Sequence, residues 1–511
     1  MTMPILFLQE LPIYTLLLLL VPPLNYLYTR ASCRSAELPT NWPILHMFPS
    51  LVANRHNMHD YCTRVLAGSG RNFRAHGPPG TGMRFFLTCD PANVRHIFTT
   101  NYANFPKGEE FAAIFDIMSG GIFTIDGEPA RRQRAKIKGV LSSPQFLDNT
   151  ASYCLHKTEK NLLPFFTEMA SVGTPFDVQE IMSRFMFDLA ATSLFGVDPG
   201  LLSSDMPPMD AARALDTVME VGFFRHIMPT SCWKLMRRIN IGPERKLSTA
   251  HGVLRRFVVE MLDRSKSNKC HIGNEHLHAD IMSPFHNDPD YTNDELSRAL
   301  IISYLVAARD TVATTLTWIF YKLGQNPNIV SNIRNELSPI ASRKLASSAG
   351  GIVIFEPTET KSLVYLRAVL YETLRLYPPA AIERKTVATN DIMPSGHKVH
   401  SGDTIFICIQ SMGRMEGMWG KDCLDYKPDR WLSEDGNKLR YVPSHKFLAF
   451  NSGPRLCLGK EIAVMQMKTV IAATVWNFDV QVLEGQSIEP KSSCILEMKN
   501  GLKIKLKKRA M

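Results

Sequence analysis

The sequence has no C-x-x-C pair and no close group of cysteines. Its ten cysteines are spread from Cys33 to Cys494 in a chain of 511 residues. This scatter excludes a disulfide scaffold or a zinc finger and favours a reducing compartment. The sequence also has no internal repeat and no recognisable nucleic-acid-binding motif. The net charge is +10, and part of it lies in the basic tail at residues 503–509. We expect this charge to suit a membrane surface or an acidic protein partner, and we expect no nucleic acid to bind.

The N-terminus has few charged residues. An apolar stretch begins at Pro4 and includes the leucine-rich residues 11–21, and Arg30 and Arg34 follow it. This stretch is near the length that spans a bilayer, and the arginines after it are expected to stay cytosolic. A cleaved signal peptide is disfavoured because there is no basic n-region and no small-x-small cleavage site. The sequence predicts a membrane anchor over residues 1–29 and a basic, proline-rich hinge over residues 30–45.

The remaining residues, 46–511, are expected to form one catalytic domain. Hydrophobic residues make up 45% of the chain, enough to bury a large core. Helical periodicity predominates over residues 109–264, and a long apolar helix is predicted from Asp294 to about Leu323, ended by Asn326-Pro327. Short strands are predicted after Leu376, for example at residues 386–388 and 403–408. The predicted fold class is mainly α with a smaller β portion.

One cysteine lies in an unusual loop, F-N-S-G-P-R-L-C-L-G, which ends at Gly459. A thiolate such as that of Cys457 can be a nucleophile, a redox sensor or a metal ligand, although a single loop cysteine is most often structural. No catalytic His-Cys pair is apparent nearby. Gly453 and Gly459 indicate that the backbone approaches a bulky group closely, as a flat macrocycle would require. A haem iron held by a cysteine thiolate is one such case.

The same loop resembles the haem-binding signature F-x-x-G-x-R-x-C-x-G of the cytochrome P450 superfamily. The matching residues are Phe450, Gly453, Arg455, Cys457 and Gly459. The resemblance implies a cytochrome P450 fold with haem b as cofactor and Cys457 as the axial iron ligand. It also implies that Phe450, Gly453, Arg455 and Gly459 contribute to the cofactor-binding site.

Two upstream elements extend the resemblance. Glu372 and Arg375 match the E-x-x-R element of the family, and Pro428-Asp-Arg430-Trp resembles its P-E-R-F element. Glu372 and Arg375 are one helical turn apart, so their side chains can pair, and Arg430 can close the network from a loop. An isolated E-x-x-R is usually a surface ion pair. The order of all three elements instead implies a structural network.

The long predicted helix carries an oxygen-activation element by the same resemblance. Asp310 and Thr311 match the acid and alcohol of A/G-G-x-D/E-T, with Ala308 in place of the usual glycine. An acid beside an alcohol can relay protons, which implies catalytic roles for both. Arg134 corresponds to the arginine of W-x-x-x-R, which contacts the haem propionates. Ala130 occupies the tryptophan position, so one expected propionate hydrogen bond is absent.

The resemblance narrows to the plant fatty-acid and alkane hydroxylase clan of cytochromes P450. Residues 90–97, 101–108 and 450–463 resemble that clan, and residues 305–311 and 413–420 resemble its midchain-alkane hydroxylase group, which also holds a phenol-coupling enzyme of amaryllis-type plants. The resemblance implies an endoplasmic-reticulum enzyme with a single-pass anchor and a cytosolic catalytic domain. It also implies NADPH–cytochrome P450 reductase as electron donor and a phenolic amine or a lipid as substrate.

Two activities follow from that group. The favoured one is intramolecular C–C phenol coupling of 4′-O-methylnorbelladine to noroxomaritidine, and the alternative is hydroxylation of long-chain alkanes or fatty acids. Cys457, Asp310 and Thr311 serve both, so the pocket must discriminate; its expected wall segments are residues 111–122, 223–227, 302–308 and 380–382. A haem sensor or a peroxide-rearranging isomerase would have little need of the Asp310–Thr311 pair, which disfavours both.

Overall fold

The computed structural model describes residues 38–271, 281, 294–347 and 351–509. The predicted anchor, residues 1–29, and the first part of the predicted hinge lie outside these residues. In the described part of the hinge, Trp42 and His46 exchange two backbone hydrogen bonds of 3.0 and 2.9 Å. Pro39 and Pro43 each fix one backbone φ angle in this segment.

Helices form most of the described chain. In chain order they are α1 (Phe48–Ala53), α2 (Met58–Gly68), α3 (Pro91–Arg95), α4 (Gly108–Ile114), α5 (Gly127–Leu141), α6 (Pro144–Lys157), α7 (Leu163–Val172), α8 (Val178–Phe195), α9 (Asp210–Ile227), α10 (Thr230–Arg238), α11 (Gly242–His271), α12 (Asp294–Leu305), α13 (Thr311–Gln325), α14 (Pro327–Ser347), α15 (Pro357–Thr360), α16 (Val364–Leu376), α17 (Ile409–Met412), α18 (Glu416–Trp419) and α19 (Lys460–Asn477). Single 3₁₀ turns, among them Pro428–Trp431 and Gly453–Arg455, lie between them.

The strands of the described chain are short and form three separate sheets. They are β1 (Asn72–His76), β2 (Arg84–Thr88), β3 (Phe176–Asp177), β4 (Ile382–Thr386), β5 (Asp391–Ile392), β6 (Lys398–Val399), β7 (Thr404–Cys408), β8 (Phe478–Val482) and β9 (Lys503–Lys508). The largest sheet has the order β1-β2-β7-β4, with β2 and β7 parallel and the other pairs antiparallel. β3, β9 and β8 form an antiparallel sheet, and β5 pairs with β6. The predicted class, mainly α with a smaller β portion, is confirmed.

A long central helix organises the core. α12 and α13 are continuous through a π-helical segment, Val306–Asp310, where one extra residue is accommodated in the helical turn. The combined helix, Asp294–Gln325, is long and apolar enough to cross a membrane, but 78% of its most apolar window is buried inside the protein. Among the described residues it is therefore a core helix, and it ends before Asn326-Pro327 as predicted.

The helix that bears Glu372 is fixed at its start by another helix. α16 has no side-chain cap of its own at Leu363. Instead Glu336 of α14 accepts hydrogen bonds from the backbone N–H groups of Tyr365 and Leu366, at 2.7 and 2.9 Å. A carboxylate at this end satisfies unpaired donors and complements the helix dipole. The contact sets the position of α16 within the helical layer.

The strand prediction was right about β7 and misplaced β4. The sequence indicated a strand at residues 386–388, whereas β4 covers Ile382–Thr386. The chain leaves the ladder after Thr386, because the N–H of Val387 bonds to the carbonyl of Asp403 and that of Ala388 to Asn104. The β-branched residues Val387 and Thr389 follow Thr386 directly, so strand propensity does not mark this boundary.

Candidate active site

The loop that carries Cys457 is held by its own backbone. The N–H of Cys457 donates to the carbonyl of Phe450 at 2.8 Å, and that of Leu456 donates to Gly453 at 3.0 Å. Asn451 has a φ of 62°, which turns the chain tightly. The Cys457 side chain is exposed, and the surface that it faces is the wall of an internal cavity. The loop therefore presents the Cys457 thiol to that cavity, whose wall also includes Cys62, Cys408 and Cys494.

The two glycines of the loop have different reasons for lacking a side chain. Gly453 has a φ of +56°, and an added Cβ would lie 2.1 Å from the carbonyl oxygen of Phe98, so the loop packs directly on that backbone. Gly459 has an ordinary φ of −91°, and an added Cβ would meet no protein atom within 4 Å. Protein packing alone does not require glycine there. Gly459 leaves space open at the cavity wall beside Cys457.

Opposing effects act on the thiol. Burial raises the pKa of Cys457, while the backbone N–H of Gly459 and the positive charges of Arg134 and Lys460 lower the pKa. A hydrogen-bond donor and two cations suit a thiolate, whose charge they stabilise. Burial is the largest of these effects, so the pKa of Cys457 is raised overall, and the N–H of Gly459 and the two cations offset part of that rise.

The cavity beside this loop has a volume of about 510 Å³ and a mostly apolar wall. Each of the four wall segments expected from the sequence contributes to it, through Phe111, Phe223, Ala307 and Ala380 among others. Met118, in the first of these segments, is fully buried in the core and does not line the cavity. A cavity of this size accommodates a cofactor or a drug-sized ligand within the fold.

Two arginines lie at the cavity wall near Cys457. Arg134 of α5 donates to the carbonyl of Leu456, and no carboxylate contacts it among the described residues. Arg455 donates to the carboxylate of Asp126 at 2.6 Å and to the hydroxyl of Tyr102 at 3.0 Å. Burial and the charge of Arg455 lower the pKa of Arg134. α5 forms despite Pro129 in its first turn, as predicted.

Two buried lysines add to this positive charge. The Nζ of Lys107 lies 4.0 Å and the Nζ of Lys385 3.3 Å from one oxygen of Glu383; both lysines are buried, and Glu383 is partly buried. Burial lowers the pKa of Lys107 to about 7, despite the opposing effect of Glu383. Sequence reasoning missed these residues, although the three consecutive charged residues of β4 could have indicated Glu383 and Lys385.

Together these groups form an uncompensated basic cluster. Among the described residues, Arg134, Arg455, Lys385 and the protonated form of Lys107 are matched by two carboxylates, Asp126 and Glu383, which leaves a surplus of two positive charges when Lys107 is protonated. A buried surplus of positive charge is costly unless an anion neutralises it. The cluster is therefore complementary to a ligand with two negative charges held beside Cys457.

The structure separates the two residues of the predicted proton relay. Thr311 lines the cavity, where its hydroxyl donates to the carbonyl of Ala307 at 2.8 Å. Asp310 is buried and does not line the cavity. Consecutive residues of a helix point about 100° apart, so an acid and an alcohol adjacent in sequence need not share a face. In this conformation Asp310 does not act directly on a ligand.

Asp310 instead belongs to a buried ionic network. A guanidinium nitrogen of Arg309 lies 2.6 Å from one carboxylate oxygen of Asp310 and 2.5 Å from Asp216. The other oxygen of Asp310 has no hydrogen-bond partner within the described structure. Burial raises the pKa of Asp310 to about 6 and that of Glu497 to about 7. Both carboxyl groups can thus hold a proton near neutral pH, and the sequence gave no sign of Glu497.

The structure brings Glu372, Arg375 and Arg430 together. The fork of Arg375 bonds both carboxylate oxygens of Glu372 at 2.8 Å, and both side chains are 0% exposed. Arg430 approaches the same carboxylate at 3.2 Å, and the indole of Trp431 donates to it at 2.9 Å. The N–H of Lys427 adds a bond of 2.8 Å. This buried carboxylate is fully hydrogen-bonded.

Arg375 uses its remaining donors on the segment that leads to Arg430. It bonds to the carbonyls of Cys423 at 2.6 Å and Asp425 at 3.0 Å, and also to that of Gly413. An added Cβ at Gly413 would lie 1.9 Å from the carbonyl oxygen of Arg375. Contact between these backbones therefore requires glycine at this position.

We predict that Glu372→Gln destabilises the fold strongly. The change leaves the buried Arg375 without its counter-charge, and breaking a buried pair costs about 3–5 kcal/mol of unfolding free energy. Arg430→Lys is the matched comparison, because Arg430 contacts Glu372 through one bond of 3.2 Å and is itself 13% exposed. Urea denaturation followed by circular dichroism should show a much larger loss for Glu372→Gln. Equal stability of the two variants would contradict the central role of Glu372.

Comparison with known proteins agrees with this geometry. The family model described as Cytochrome P450 matches residues 37–506. Noroxomaritidine synthase 2 of Narcissus pseudonarcissus is 34% identical over 488 residues, covering 95% of this chain and 94% of the relative. Alkane hydroxylase MAH1 of Arabidopsis thaliana is 35% identical over 503 residues, covering 97% and 98%. Cytochrome P450 CYP94D108 of Paris polyphylla is 35% identical over 467 residues, covering 90% of each chain.

These matches confirm the resemblance based on the sequence motifs, and with it a redox partner and a small-molecule substrate. The chain belongs to the cytochrome P450 family, and it is a monooxygenase-type oxidoreductase that binds haem b.

Proposed function

We propose that Cys457 is the axial ligand of the haem iron. The observation that carries this proposal is that the loop directs one thiol into a cavity next to a surplus of two positive charges. Haem b fits both features, because it combines an iron with a flat ring and two propionates. Arg134 and Arg455 hold the propionates in this proposal, with Lys107 and Lys385 adding charge. Gly459 leaves room for the ring, and Phe450 and Gly453 shape the loop.

Bound haem activates O₂ with electrons supplied through the thiolate-held iron. The protein must supply protons and keep water out. We propose that Asp310, whose pKa is raised to about 6, stores a proton and passes it to Thr311 after its side chain turns away from Arg309. The second salt bridge of Arg309, to Asp216, keeps its charge paired during that motion. The Thr311 hydroxyl would accept that proton while giving up its own hydrogen to a group in the cavity, so that it relays the proton and stays neutral.

The proposed reaction is oxidative C–C coupling of the two phenol rings of 4′-O-methylnorbelladine to give noroxomaritidine. Coupling removes two electrons and two protons from the substrate, and these, with two electrons and a proton from NADPH and one further proton, reduce O₂ to two waters. Relatives named noroxomaritidine synthase, 34% identical over 95% of the chain, support this reaction. The cavity must hold both rings in contact, and its mainly apolar wall suits aryl groups.

Hydroxylation of long-chain alkanes or fatty acids is the second candidate. The relative named alkane hydroxylase MAH1 is 35% identical over 97% of the chain, and an apolar wall also suits a hydrocarbon chain. In this reaction one oxygen atom of O₂ enters a C–H bond and the other leaves as water. The same thiolate and proton relay serve both reactions. The substrate that the cavity binds therefore determines which reaction takes place.

We place the enzyme at the endoplasmic reticulum membrane. The apolar stretch at residues 1–29 acts as a single-pass anchor in this proposal, residues 30–45 as a hinge, and residues 46–511 as the cytosolic catalytic domain. NADPH–cytochrome P450 reductase is the proposed electron donor. The net charge of +10 supports docking of an acidic partner, since complementary charge accelerates association.

We predict that the holoenzyme, with reductase and NADPH, converts 4′-O-methylnorbelladine to a product two hydrogen atoms lighter. Mass spectrometry with ¹⁸O₂ distinguishes the candidates, because coupling adds no labelled oxygen and hydroxylation adds one labelled atom. A long-chain alkane is assayed in parallel. A labelled alcohol from the alkane, without a coupled product from the amine, would overturn the coupling proposal in favour of the second candidate.

We predict that Cys457→Ala abolishes the carbon monoxide difference spectrum that is typical of thiolate-bound haem. Cys494→Ala is the matched control, since Cys494 also lines the cavity but lies on another segment. Its spectrum should remain that of the unmodified protein. A thiolate-type spectrum in the Cys457→Ala variant would exclude Cys457 as the iron ligand.

We predict that Thr311→Ala diverts NADPH-derived electrons from product to hydrogen peroxide. Loss of a positioned proton-transfer group costs roughly 10²–10⁴-fold in rate, so the product formed per NADPH should fall at least several-fold. Thr317→Ala is the control, because Thr317 makes the same type of bond to a carbonyl four residues earlier but does not line the cavity. Unchanged coupling in the Thr311→Ala variant would remove Thr311 from the relay.

A further inference from the structure

One histidine of the cavity wall has a fixed tautomer. Nδ1 of His226, on α9, lies 2.7 Å from the carbonyl oxygen of Gly222. A carbonyl can only accept, so Nδ1 carries the proton and Nε2 is left as an acceptor. Burial and the positive charge of Arg384 lower the pKa of His226 to about 3. The ring is therefore neutral, and its side chain lines the cavity.

Phenylalanine rings surround this acceptor. The centroids of Phe111, Phe115 and Phe406 lie 6.0, 5.6 and 6.3 Å from that of His226, and all three side chains line the cavity. These separations are within the range of favourable aromatic pairs. Such surroundings bind an aromatic ring and strengthen a hydrogen bond by excluding water.

A second histidine of the wall has no partner. His59 of α2 is 7% exposed and lines the cavity, and neither of its ring nitrogens has a hydrogen-bond partner in the described structure. Burial lowers its pKa to about 4. Its ring packs 5.9 Å from Phe223, which lies one helical turn before His226 on α9. The two histidines thus occupy neighbouring parts of one wall.

Neither imidazole is part of the haem site proposed above. They lie on α2 and α9, whereas Cys457 precedes α19 and Thr311 begins α13. Buried polar groups in proteins are normally hydrogen-bonded, since an unmade bond in a low-dielectric environment costs free energy. An alkane offers no partner to either ring. A carboxylate offers no proton to Nε2 of His226, and Arg384, the cation beside that ring, is already paired with Glu110.

We propose that this wall recognises a hydroxylated aromatic substrate, with a phenolic O–H donating to Nε2 of His226 and a second polar group bonding to His59. The aromatic ring lies among Phe111, Phe115 and Phe406. This inference rests on the proposed function for the reaction and specifies which substrate class the same cavity selects. His226 and His59 are binding residues here and take no part in oxygen activation.

The test compares three ligands that differ only in the para group. Isothermal titration calorimetry with the holoenzyme measures binding of 4-octylphenol, 4-octylanisole and octylbenzene. We expect 4-octylphenol to bind about tenfold more tightly than 4-octylanisole, as for the gain of one net hydrogen bond. Equal affinity for the three ligands would overturn the proposal without reference to any variant.

Four variants locate the effect. His226→Asn keeps a donor for Gly222 but has no group at the position of Nε2, so the preference for the phenol should disappear. His226→Gln can place an amide oxygen near that position and should retain most of the preference. His156→Asn is the control, because His156 is exposed on α6, away from the cavity. A preference retained in His226→Asn and in His59→Phe would also overturn the proposal.

The outcome of this binding test is independent of whether the enzyme catalyses the proposed coupling reaction. Haem content and thermal denaturation of each variant show whether it is folded and loaded. A phenol preference that depends on His226, without any coupled product from 4′-O-methylnorbelladine, supports this inference and overturns the coupling reaction. A coupled product formed by an enzyme with no phenol preference supports the reaction and overturns this inference.

Discussion

The buried carboxylate of Glu372 connects the helical layer to the loop that carries the thiol. It accepts hydrogen bonds from Arg375, Arg430 and Trp431, and a charge at 0% exposure is tolerated only with such complete pairing. The ring of the neighbouring Tyr371 packs against those of Trp431 and Phe450, with centroid separations of 5.4 and 6.3 Å. The backbone carbonyl of Phe450 accepts a hydrogen bond from the N–H of Cys457. The position of the thiol therefore depends on a charge network that never contacts the cavity.

The polar groups that line the cavity differ in charge. The side near Cys457 has an excess of cations, whereas the histidines on α2 and α9 are neutral because burial lowers their pKa values. In a low-dielectric interior these differences act over several ångströms with little screening. The surplus of cations favours an anionic cofactor, while the two neutral histidines favour a neutral substrate. Lys107 and Arg384 also line the cavity, and their charges reach His226, so the cationic and the neutral groups adjoin each other.

Contacts between neighbours in sequence were more predictable than contacts across the fold. The Glu372–Arg375 pair followed from helical spacing, and the end of the central helix followed from Asn326-Pro327. The basic cluster did not, since Lys107, Glu383 and Asp126 meet only after β4 packs beside α4. The separation of Asp310 from Thr311 was also missed, because the sequence shows neither the π-helical segment nor Arg309's bond to Asp216, which lies 93 residues away. His226 looked like one more residue of an amphipathic helix.

The division between chemistry and recognition explains how similar chains can bear different reaction names. Relatives named for a synthase and for an alkane hydroxylase are 34% and 35% identical to this chain. In the proposed mechanism the Cys457 thiolate, the basic cluster and the proton relay serve both reactions alike, so they do not select a substrate. The few polar atoms of the apolar wall therefore select the substrate. A polar atom left unpaired lowers the affinity for any ligand that cannot hydrogen-bond to it. A change at His59 or His226 would therefore alter the preferred substrate and leave oxygen activation intact.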